Sequence, residues 1–291
     1  MTLFTWNVRG FNDPLKRKSV LKVVNSYKVD ILCLLETRVK EGNAVDIVNS
    51  HFQGWELFNN YEHAVNGRVW ILSRGCWSVR MVSSSAQFIM CLVSNGVVEF
   101  YLSVIYASNS REERRKLWRD LVCFKGCVDG LPWVLVGDFN VTLYPKESSY
   151  FSGSQGISGA MKDFSDCLED LDVLDHPFQG PMFTWCNMRE EQPLARKLDR
   201  ILVNQLWISK FGDSGVEFLP PGCSDHCPSF LVFNVGMVSP PKPFKFFNFW
   251  IGHPEFHYVI ESSWNQTVSG NPLQALFAKL KRLKEPLRML N

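Results

Sequence analysis

The chain has 291 residues, of which 46% are apolar and 13% aromatic, and this is enough to bury one large hydrophobic core. It carries 31 Lys and Arg against 29 Asp and Glu, a formal charge of +2. This near balance argues against a protein that wraps nucleic acid through its overall charge, so any such binding must come from local patches.

The amino terminus and the cysteines predict a reduced, soluble protein. Met1 leads directly into Leu3-Phe4-Thr5-Trp6, without the basic region or the small-residue cleavage site of a secretory signal. The longest apolar runs are about eight residues, well below the roughly 18 needed to cross a bilayer. Nine cysteines, most of them in apolar runs, predict reduced and buried thiols. We therefore expect an intracellular protein with no membrane association.

Short apolar segments rich in β-branched and aromatic residues predict nine strands. Between residues 68 and 105 they follow one another without helical patterns, which favours antiparallel pairing there. The predicted strands are Thr2–Trp6, Asp30–Leu35, Arg68–Ser73, Phe88–Val93, Val98–Ile105, Trp133–Val136, Phe183–Cys186, Leu198–Val203 and Ser229–Val235.

Three segments between the strands predict helices. The first begins at Asp13-Pro14, an N-cap residue followed by proline at the first helical position. The second covers Arg111–Val128 and the third Gly159–Leu171. Helices on the outer faces of mixed sheets predict a layered α/β sandwich. The apolar stripe of the first helix is Leu15, Val20, Val23, Val24 and Tyr27.

The carboxyl-terminal part differs from the rest of the chain in amino-acid composition. Three prolines between 240 and 243 mark a boundary, an aromatic run follows at Phe244–Trp250, and residues 242–291 carry seven Lys and Arg against three Asp and Glu. We predict one domain over 1–236 and an aromatic, basic linker over 237–291.

The Gly- and Ser-rich segment Ser148–Gly159 predicts a flexible surface connection. A basic amphipathic helix, disturbed near Pro286, is predicted from Leu276, Leu280, Leu283, Leu287 and Leu290.

Polar residues stand at the ends of the predicted strands, where ligand sites commonly form. Side chains are free to converge there because core-facing alternation stops. The amino end of an antiparallel strand lies beside the carboxyl ends of its neighbours, so residues that precede later strands can join the same edge. The predicted group is Asn7, Glu36, Tyr106, Asp138, Asn140, Asp199, Asp225 and His226.

Carboxylates grouped in this way repel one another unless a divalent cation neutralises them. Oxygen ligands suit Mg²⁺, which keeps several waters and takes one or two carboxylates together with substrate phosphate. Amide, phenol and imidazole groups beside the ion can stabilise a phosphoryl oxygen whose charge grows in the transition state. Each residue alone is more often a cap, a turn residue or a surface charge, so the prediction depends on their combination.

The ordered set of motifs resembles the endonuclease/exonuclease/phosphatase superfamily over about residues 1–236. The resemblance implies a four-layer α/β sandwich like that of deoxyribonuclease I, with two packed mixed sheets and helices on the outer faces. The motifs are W-N-V-R-G (6–10), L-L-E-T-R (34–38), S-V-I-Y-A (103–107), G-D-F-N (137–140), F-T-W-C-N (183–187), K-L-D-R (197–200) and S-D-H (224–226).

Within this superfamily the chain most closely resembles the endonuclease domains of plant LINE-type retrotransposons. The segments G-R-V-W-I-L (67–72) and F-K-F-F-N-F-W (244–250) carry that likeness. It implies that the chain is the endonuclease part of such an open reading frame and ends before the reverse transcriptase. Arg9 stands where the repair endonucleases of the superfamily carry an acidic residue, which argues against a second metal contact at that position.

The resemblance implies a role for each matching residue. Glu36 and Asp225 would bind Mg²⁺, or Mn²⁺ as a substitute. Asp138 would orient or activate the attacking water. His226 would contact the scissile phosphate and pair with Asp199. From the residues alone, His226 oriented by Asp199 could activate the water instead, so both assignments stay open. The other groups are Asn7, Asn140 and Tyr106, which would hold the phosphate, and the supporting residues Thr184, Asn187 and Ser224.

The resemblance predicts an endonuclease that nicks DNA and leaves a 3′-hydroxyl able to prime reverse transcription. One alternative is a phosphatase or phosphodiesterase of the same fold that acts on inositol phosphates or lipids. A second alternative is an inactive retroelement remnant that only binds nucleic acid. DNA is the predicted partner and the sequence indicates no protein partner. A retrotransposon role would place the protein in the nucleus.

Overall fold

The chain divides into two compact units, Met1–Val238 and Ser239–Asn291. The predicted connection Ser148–Gly159 lies partly outside the described residues, and the three prolines that predict a boundary all lie outside them. The computed structural model describes residues 1–128, 130–150, 156–234, 246–268 and 272–290.

Every predicted strand is present, although its ends differ from the prediction by up to three residues. Six further strands were not predicted: five of them have only two to four residues, and the sixth, Ser78–Ser84, has seven. In chain order the strands are β1 (Thr2–Asn7), β2 (Ile31–Leu35), β3 (Glu56–Asn59), β4 (Val69–Ser73), β5 (Ser78–Ser84), β6 (Phe88–Ser94), β7 (Glu99–Tyr106), β8 (Trp133–Asp138), β9 (Val173–Asp175), β10 (Phe178–Gln179), β11 (Trp185–Cys186), β12 (Ala195–Arg196), β13 (Asp199–Asn204), β14 (Gly215–Phe218) and β15 (Ser229–Val232).

The strands form two large mixed sheets. One has the order β10-β14-β15-β1-β2-β4-β3 and the other the order β5-β6-β7-β8-β13-β9. Within the first sheet β1 pairs in parallel with β2 and antiparallel with β15. Within the second, β7 pairs in parallel with β8 and antiparallel with β6. A separate short ladder joins β11 and β12.

Eight α-helices lie in the described residues, and none of them has both the length and the apolar character that a membrane crossing requires. The Asp13 carboxylate accepts from Leu15 N at 2.8 Å and Pro14 is the first helical residue, which confirms the predicted start of the first helix. The helices are α1 (Pro14–Ser26), α2 (Glu41–His51), α3 (Arg111–Cys123), α4 (Lys125–Val128), α5 (Gly159–Leu171), α6 (Gln205–Lys210), α7 (Phe256–Trp264) and α8 (Pro272–Arg288).

Three apolar clusters define a four-layer sandwich in the first unit. The central cluster joins the facing sides of the sheets, with Leu3 and Ile31 from one and Ile89 and Phe100 from the other. A second cluster packs the outer face of the first sheet on α1 and α2, and a third packs the outer face of the second sheet on α3 and α5. The predicted fold class is confirmed: helices, sheet, sheet and helices lie in successive layers.

Several local predictions were wrong. Leu15, assigned to the buried stripe of α1, is 73% exposed. The helix predicted over Arg111–Val128 breaks at Phe124, so that α3 and α4 are separate. Helix α8 continues through Pro286 to Arg288. The cysteines are free thiols as predicted, but not all are buried, because Cys76, Cys123 and Cys127 are exposed.

The second unit has its own small core. Trp250 is buried together with Leu283, Leu287 and Leu290 of the predicted leucine stripe. Leu276 and Leu280 of the same stripe are instead exposed by 45% and 50%. The amphipathic pattern therefore describes the carboxyl-terminal half of α8, where the stripe meets the aromatic residues.

Phe100 should be a major contributor to the stability of the first unit. It is fully buried, and its ring packs edge-on against Trp77, Trp207, Phe211 and Phe233. Phe100→Ala should lower the free energy of unfolding by about 3–5 kcal/mol, because it removes apolar burial and leaves a cavity. Urea unfolding followed by tryptophan fluorescence measures this change.

The matched control is Val97→Ala, since Val97 is 68% exposed beside the same strand and should change the unfolding free energy by less than about 0.5 kcal/mol. Equal effects of the two substitutions would contradict the assignment of Phe100 to the central core.

Candidate active site

Strand register brings the predicted polar residues to one edge of the sandwich. In the first sheet Asn7, the last residue of β1, lies beside Leu35, and Glu36 follows directly. In the second sheet Tyr106, Asp138 and Asp199 are neighbours across β7, β8 and β13. The two sheets meet here through Asn7, whose Nδ2 donates to Asp138 Oδ2 at 3.0 Å.

The motif G-D-F-N shapes the end of β8. Gly137 has φ +129°, and a Cβ on it would lie 2.1 Å from the carbonyl oxygen of Ile105, so only glycine lets β7 and β8 approach this closely. Asp138 Oδ1 accepts from Asn140 N at 2.9 Å. Asn140 Nδ2 in turn donates to Ala107 O at 2.7 Å. The turn thus holds the Asp138 carboxylate in place and fixes the Asn140 amide beside β7.

Three buried side chains form an Asp–His–Asp group. His226 Nδ1 lies 2.9 Å from Asp199 Oδ2, and its Nε2 lies 3.7 Å from Asp138 Oδ2. Asn7 Nδ2 lies 3.4 Å from the same Nε2. Asp199 is positioned by Thr184, whose Oγ1 accepts from Leu198 N at 3.0 Å and from Asp199 N at 2.8 Å.

Burial and charge pairing shift the pKa values of this group. Burial by itself lowers the pKa of His226, but Asp199 and Asp138 outweigh it and raise that pKa to about 10. Burial raises the pKa of Asp138 to about 6, with His226 opposing the rise and Asp199 adding to it. The imidazole is therefore protonated at neutral pH, while Asp138 has a pKa close to the range that suits a general base.

Glu36 and Tyr106 lie on an open cleft of about 690 Å³. Tyr106 bonds to Glu36, and burial, together with the charges of Glu36 and Asp138, raises the pKa of its phenol above the ordinary value. Glu36 also forms an ion pair with Arg38. Since Tyr106 interacts with both Glu36 and Asp138, it connects the cleft to the Asp–His–Asp group.

Asp225 has partners that the sequence did not indicate. Its Oδ2 accepts from Trp185 Nε1 at 2.9 Å and pairs with Arg9. Ser224 Oγ donates to the carbonyl oxygen of Asn7 at 2.6 Å, so it ties the S-D-H segment to the end of β1. Arg9 and Trp185 were not predicted as site residues, because only the fold shows that they meet Asp225.

Asn187 does not join the site. Its amide oxygen accepts from Leu194 N at 3.0 Å and its Nδ2 donates to Gln192 O at 3.0 Å. These bonds organise the connection between β11 and β12. Asn187 is therefore a turn residue of that connection, whereas the other predicted residues lie in the cluster, on the cleft or directly behind them.

The backbone is strained at this edge. Arg9, Glu36, Arg38 and Asn140 have φ values between +46° and +53°, a region in which residues with a Cβ lose about 1–3 kcal/mol each. Such conformations persist where the surrounding structure imposes them, and they concentrate at functional sites. Two of these residues, Glu36 and Asn140, were predicted as site residues.

A two-sheet sandwich that gathers carboxylates, an imidazole, a phenol and amides at one edge defines a class of hydrolases that act on phosphate esters. The chain belongs to the endonuclease/exonuclease/phosphatase family, whose sequence profile matches residues 4–226. It is a nuclease-type hydrolase, and enzymes of this family depend on a divalent metal.

Individual relatives agree with this membership. An exodeoxyribonuclease of Bacillus subtilis (strain 168) is 22% identical over 267 residues, covering 81% of this chain and all of the relative. The endonuclease domain of TRAS1, a telomere-specific non-LTR retrotransposon, superposes with a TM-score of 0.60 at 13% identity, covering 82% of this chain and 99% of that domain. The AP endonuclease LMAP of Leishmania major superposes with a TM-score of 0.62 at 16% sequence identity, covering 79% of this chain and 86% of that protein. The resemblance predicted from the motifs is confirmed.

The residues present fit a divalent cation. Asp138, Asp199 and His226 each have one atom of a type that can bind a metal, and these three atoms lie within 4.8 Å of one another. In that group, however, His226 is already paired with Asp199 and all three residues are buried. Glu36 instead presents its carboxylate to the open cleft, where an ion can keep the waters that Mg²⁺ retains. Glu36 is also paired, with Arg38, so its advantage over the buried group is its access to the open cleft.

Replacing Asp199 should destabilise the protein in a pH-dependent way. The pKa of His226 is raised from 6.5 to about 10, so the pairing with Asp199 stabilises the fold fully below pH 6.5 and is lost as the pH rises through 10. In EDTA, Asp199→Asn should lower the free energy of unfolding at the acidic end of this window, and its effect should fade toward the alkaline end. Urea unfolding across this range and NMR titration of the His226 ring measure both effects.

Asp46→Asn, in the exposed face of α2, is the control and should show no such dependence. A constant effect of Asp199→Asn at all pH values would contradict a protonated His226.

Thr184→Val should weaken the backbone hydrogen bonds that position Asp199. The buried N–H groups of Leu198 and Asp199 both lose their acceptor, which should lower the free energy of unfolding by about 1–3 kcal/mol for each group. Thr184→Ser keeps the hydroxyl, so it should lower the free energy of unfolding by only about 1 kcal/mol, the contribution of the methyl group. Thermal or urea unfolding of the pair provides the measurement, and equal losses would show that the hydroxyl is not the important group.

Proposed function

We propose that this protein is a Mg²⁺-dependent endonuclease that nicks DNA, as part of a LINE-type retrotransposon. The observation that carries the proposal is one buried group beside the cleft of Glu36. In this group Asn7 donates to Asp138, and the His226 ring lies between Asp138 and Asp199. Family membership supports a nuclease, and the relatives described above are by name an exodeoxyribonuclease and two endonucleases.

Glu36 is the proposed ligand for Mg²⁺, with Mn²⁺ as a possible substitute. When bound, the ion would neutralise charge on the phosphate and leave water ligands in place. Tyr106 bonds to Glu36 and orients its carboxylate toward the cleft. The single phenol O–H would have to turn away from Glu36 to donate to a phosphate oxygen, the role proposed for Asn7 and Asn140 as well.

Asp138 is the proposed base and His226 the proposed donor. The raised pKa of His226 makes it an imidazolium at neutral pH, so it is suited to donate to a phosphoryl oxygen and not to accept a proton. Asp138 accepts from Asn140 N and Asn7 Nδ2, and these bonds aim its carboxylate. An attacking water could pass its proton to Asp138 while Asp199 holds the charge on His226.

The walls of the cleft fit a polyanion. Arg38, Lys40 and Arg68 lie on it, against the acidic side chains of Glu36 and Glu113. The guanidinium of Arg68 stands 5.8 Å from the centre of the Tyr106 ring. This local excess of positive charge supports a nucleic-acid substrate more directly than the nearly neutral whole chain does.

The retrotransposon role requires a particular product. Hydrolysis should leave a 3′-hydroxyl at the nick, since that end can prime reverse transcription. We further propose that residues 1–236 form the catalytic domain, that 237–291 form a separate aromatic and basic segment, and that the protein acts in the nucleus.

The decisive test is nicking of supercoiled plasmid. Wild type should convert it to open circles with Mg²⁺ and not with EDTA. Glu36→Gln and His226→Ala should each lower the rate by about a hundredfold to ten-thousandfold, because they remove the metal ligand and the phosphate donor. Glu56→Gln is the matched control, since Glu56 is exposed on β3 at the opposite end of the strands from Asn7.

Extension of the nicked plasmid by a DNA polymerase without prior phosphatase treatment would establish the 3′-hydroxyl. Absence of Mg²⁺-dependent nicking, with turnover of inositol phosphates in its place, would reject the endonuclease. DNA binding by a wild-type protein that hydrolyses neither substrate would indicate an inactive remnant.

A further inference from the structure

Arg9 is held in a fixed conformation at the edge of the site. Its φ of +46° lies in the left-handed region, which residues with a Cβ seldom adopt. Its N–H donates to Asn7 Oδ1 at 3.1 Å, and its carbonyl oxygen accepts from Lys16 Nζ at 3.1 Å. The same Asn7 side chain contacts Asp138 and His226, so the position of Arg9 is tied to the site.

The guanidinium of Arg9 is anchored at one end and open at the other. Its Nη1 pairs with Asp225 Oδ2, while the Arg9 side chain is 52% exposed and the Asp225 side chain only 6%. Trp185 Nε1 donates to the same carboxylate oxygen. A guanidinium has five N–H donors in a planar fork, and the exposed part of this fork faces solvent beside the S-D-H segment.

Asp225 is poorly placed to bind a metal ion. Its Oδ2 has two donors, Arg9 and Trp185, and its Oδ1 lies 3.4 Å from Ser224 Oγ. A cation at this carboxylate would have to displace the guanidinium and would meet its positive charge at close range. Glu36 is likewise paired with Arg38, but Glu36 lines the open cleft. Asp225 does not line that cleft, its side chain is only 6% exposed, and its charge is balanced by Arg9.

We propose that Arg9 binds a backbone phosphate of the nucleic-acid substrate and that Asp225 anchors Arg9 and does not bind metal. This inference rests on the proposed function, because the ligand is a phosphodiester. Arginine matches phosphate oxygens with two parallel N–H bonds. Anchoring by Asp225 fixes the direction of the fork before substrate arrives, which reduces the conformational entropy lost on binding.

The position of Arg9 extends the basic surface to a second part of the site. Arg38, Lys40 and Arg68 lie on the cleft beside Glu36, whereas Arg9 is bonded to the residue that precedes His226. A strand bound at both places would have phosphates held beside Glu36 and beside His226. Arg9 is thus a substrate-positioning residue that acts together with the cleft.

Duplex binding tests the role of Arg9. Binding of a short fluorescent DNA duplex is measured by anisotropy, with Ca²⁺ in place of Mg²⁺, over a range of salt concentrations. Arg9→Gln should weaken binding about tenfold and reduce the salt dependence by about one phosphate contact. Arg9→Lys, which keeps the charge but not the fork, should weaken it about threefold. Arg80→Gln, in an exposed position on the edge strand β5, is the control and should bind as wild type.

Titration with Mn²⁺ alone tests the role of Asp225. Calorimetry should show that Asp225→Asn binds Mn²⁺ with wild-type stoichiometry and affinity, whereas Glu36→Gln loses binding by more than about tenfold. Asp225→Asn should nevertheless weaken duplex binding about threefold, because Arg9 is no longer anchored. Circular dichroism of each variant establishes that it is folded.

Wild-type duplex binding by Arg9→Gln would overturn the inference, as would loss of Mn²⁺ binding in Asp225→Asn. These results are separable from a failure of the proposed function. A wild-type protein that nicks plasmid while Arg9→Gln binds as tightly would refute only the role of Arg9. A wild-type protein that neither binds the duplex nor nicks plasmid would refute both.

Discussion

The buried carboxylate of Asp138 is the constraint on which this edge of the sandwich depends. It is 1% exposed, and a charge so far from water must be balanced by donors or cations of the chain. Asn7 supplies a donor from the first sheet, Asn140 supplies one from the following turn, and His226 supplies positive charge. Because these partners come from both sheets, satisfying Asp138 also sets how the sheets meet.

Many of the residues at this edge could be predicted, because a sequence shows where a buried strand ends. Asn7 and Asp138 follow runs of buried residues in β1 and β8, and the end of an apolar run marks where side chains can converge. The parallel register of β1 with β2 then places Glu36 beside Asn7. The motifs formed by these residues also indicated the family, and the fold and the family match confirm that resemblance.

What could not be predicted depends on contacts between distant parts of the chain. Arg9 and Asp225 are 216 residues apart, and no local pattern indicates that they pair. Asn187 carries a polar side chain in a matching motif, yet its partners are backbone groups of its own turn. Leu15 has the spacing of a buried helical residue but lies at the exposed start of α1. In each case tertiary geometry decides what periodicity alone leaves open.

The pairing of β15 with β1 has a consequence for the order of synthesis. A ribosome releases Asn7, Glu36 and Asp138 long before His226, which meets Asn7 across 219 residues of chain. Strand β1 therefore waits for one of its neighbours until nearly the whole first unit has left the exit tunnel. A nascent chain carries most of the acidic groups without the imidazolium between them, so the Asp–His–Asp group forms only late in translation.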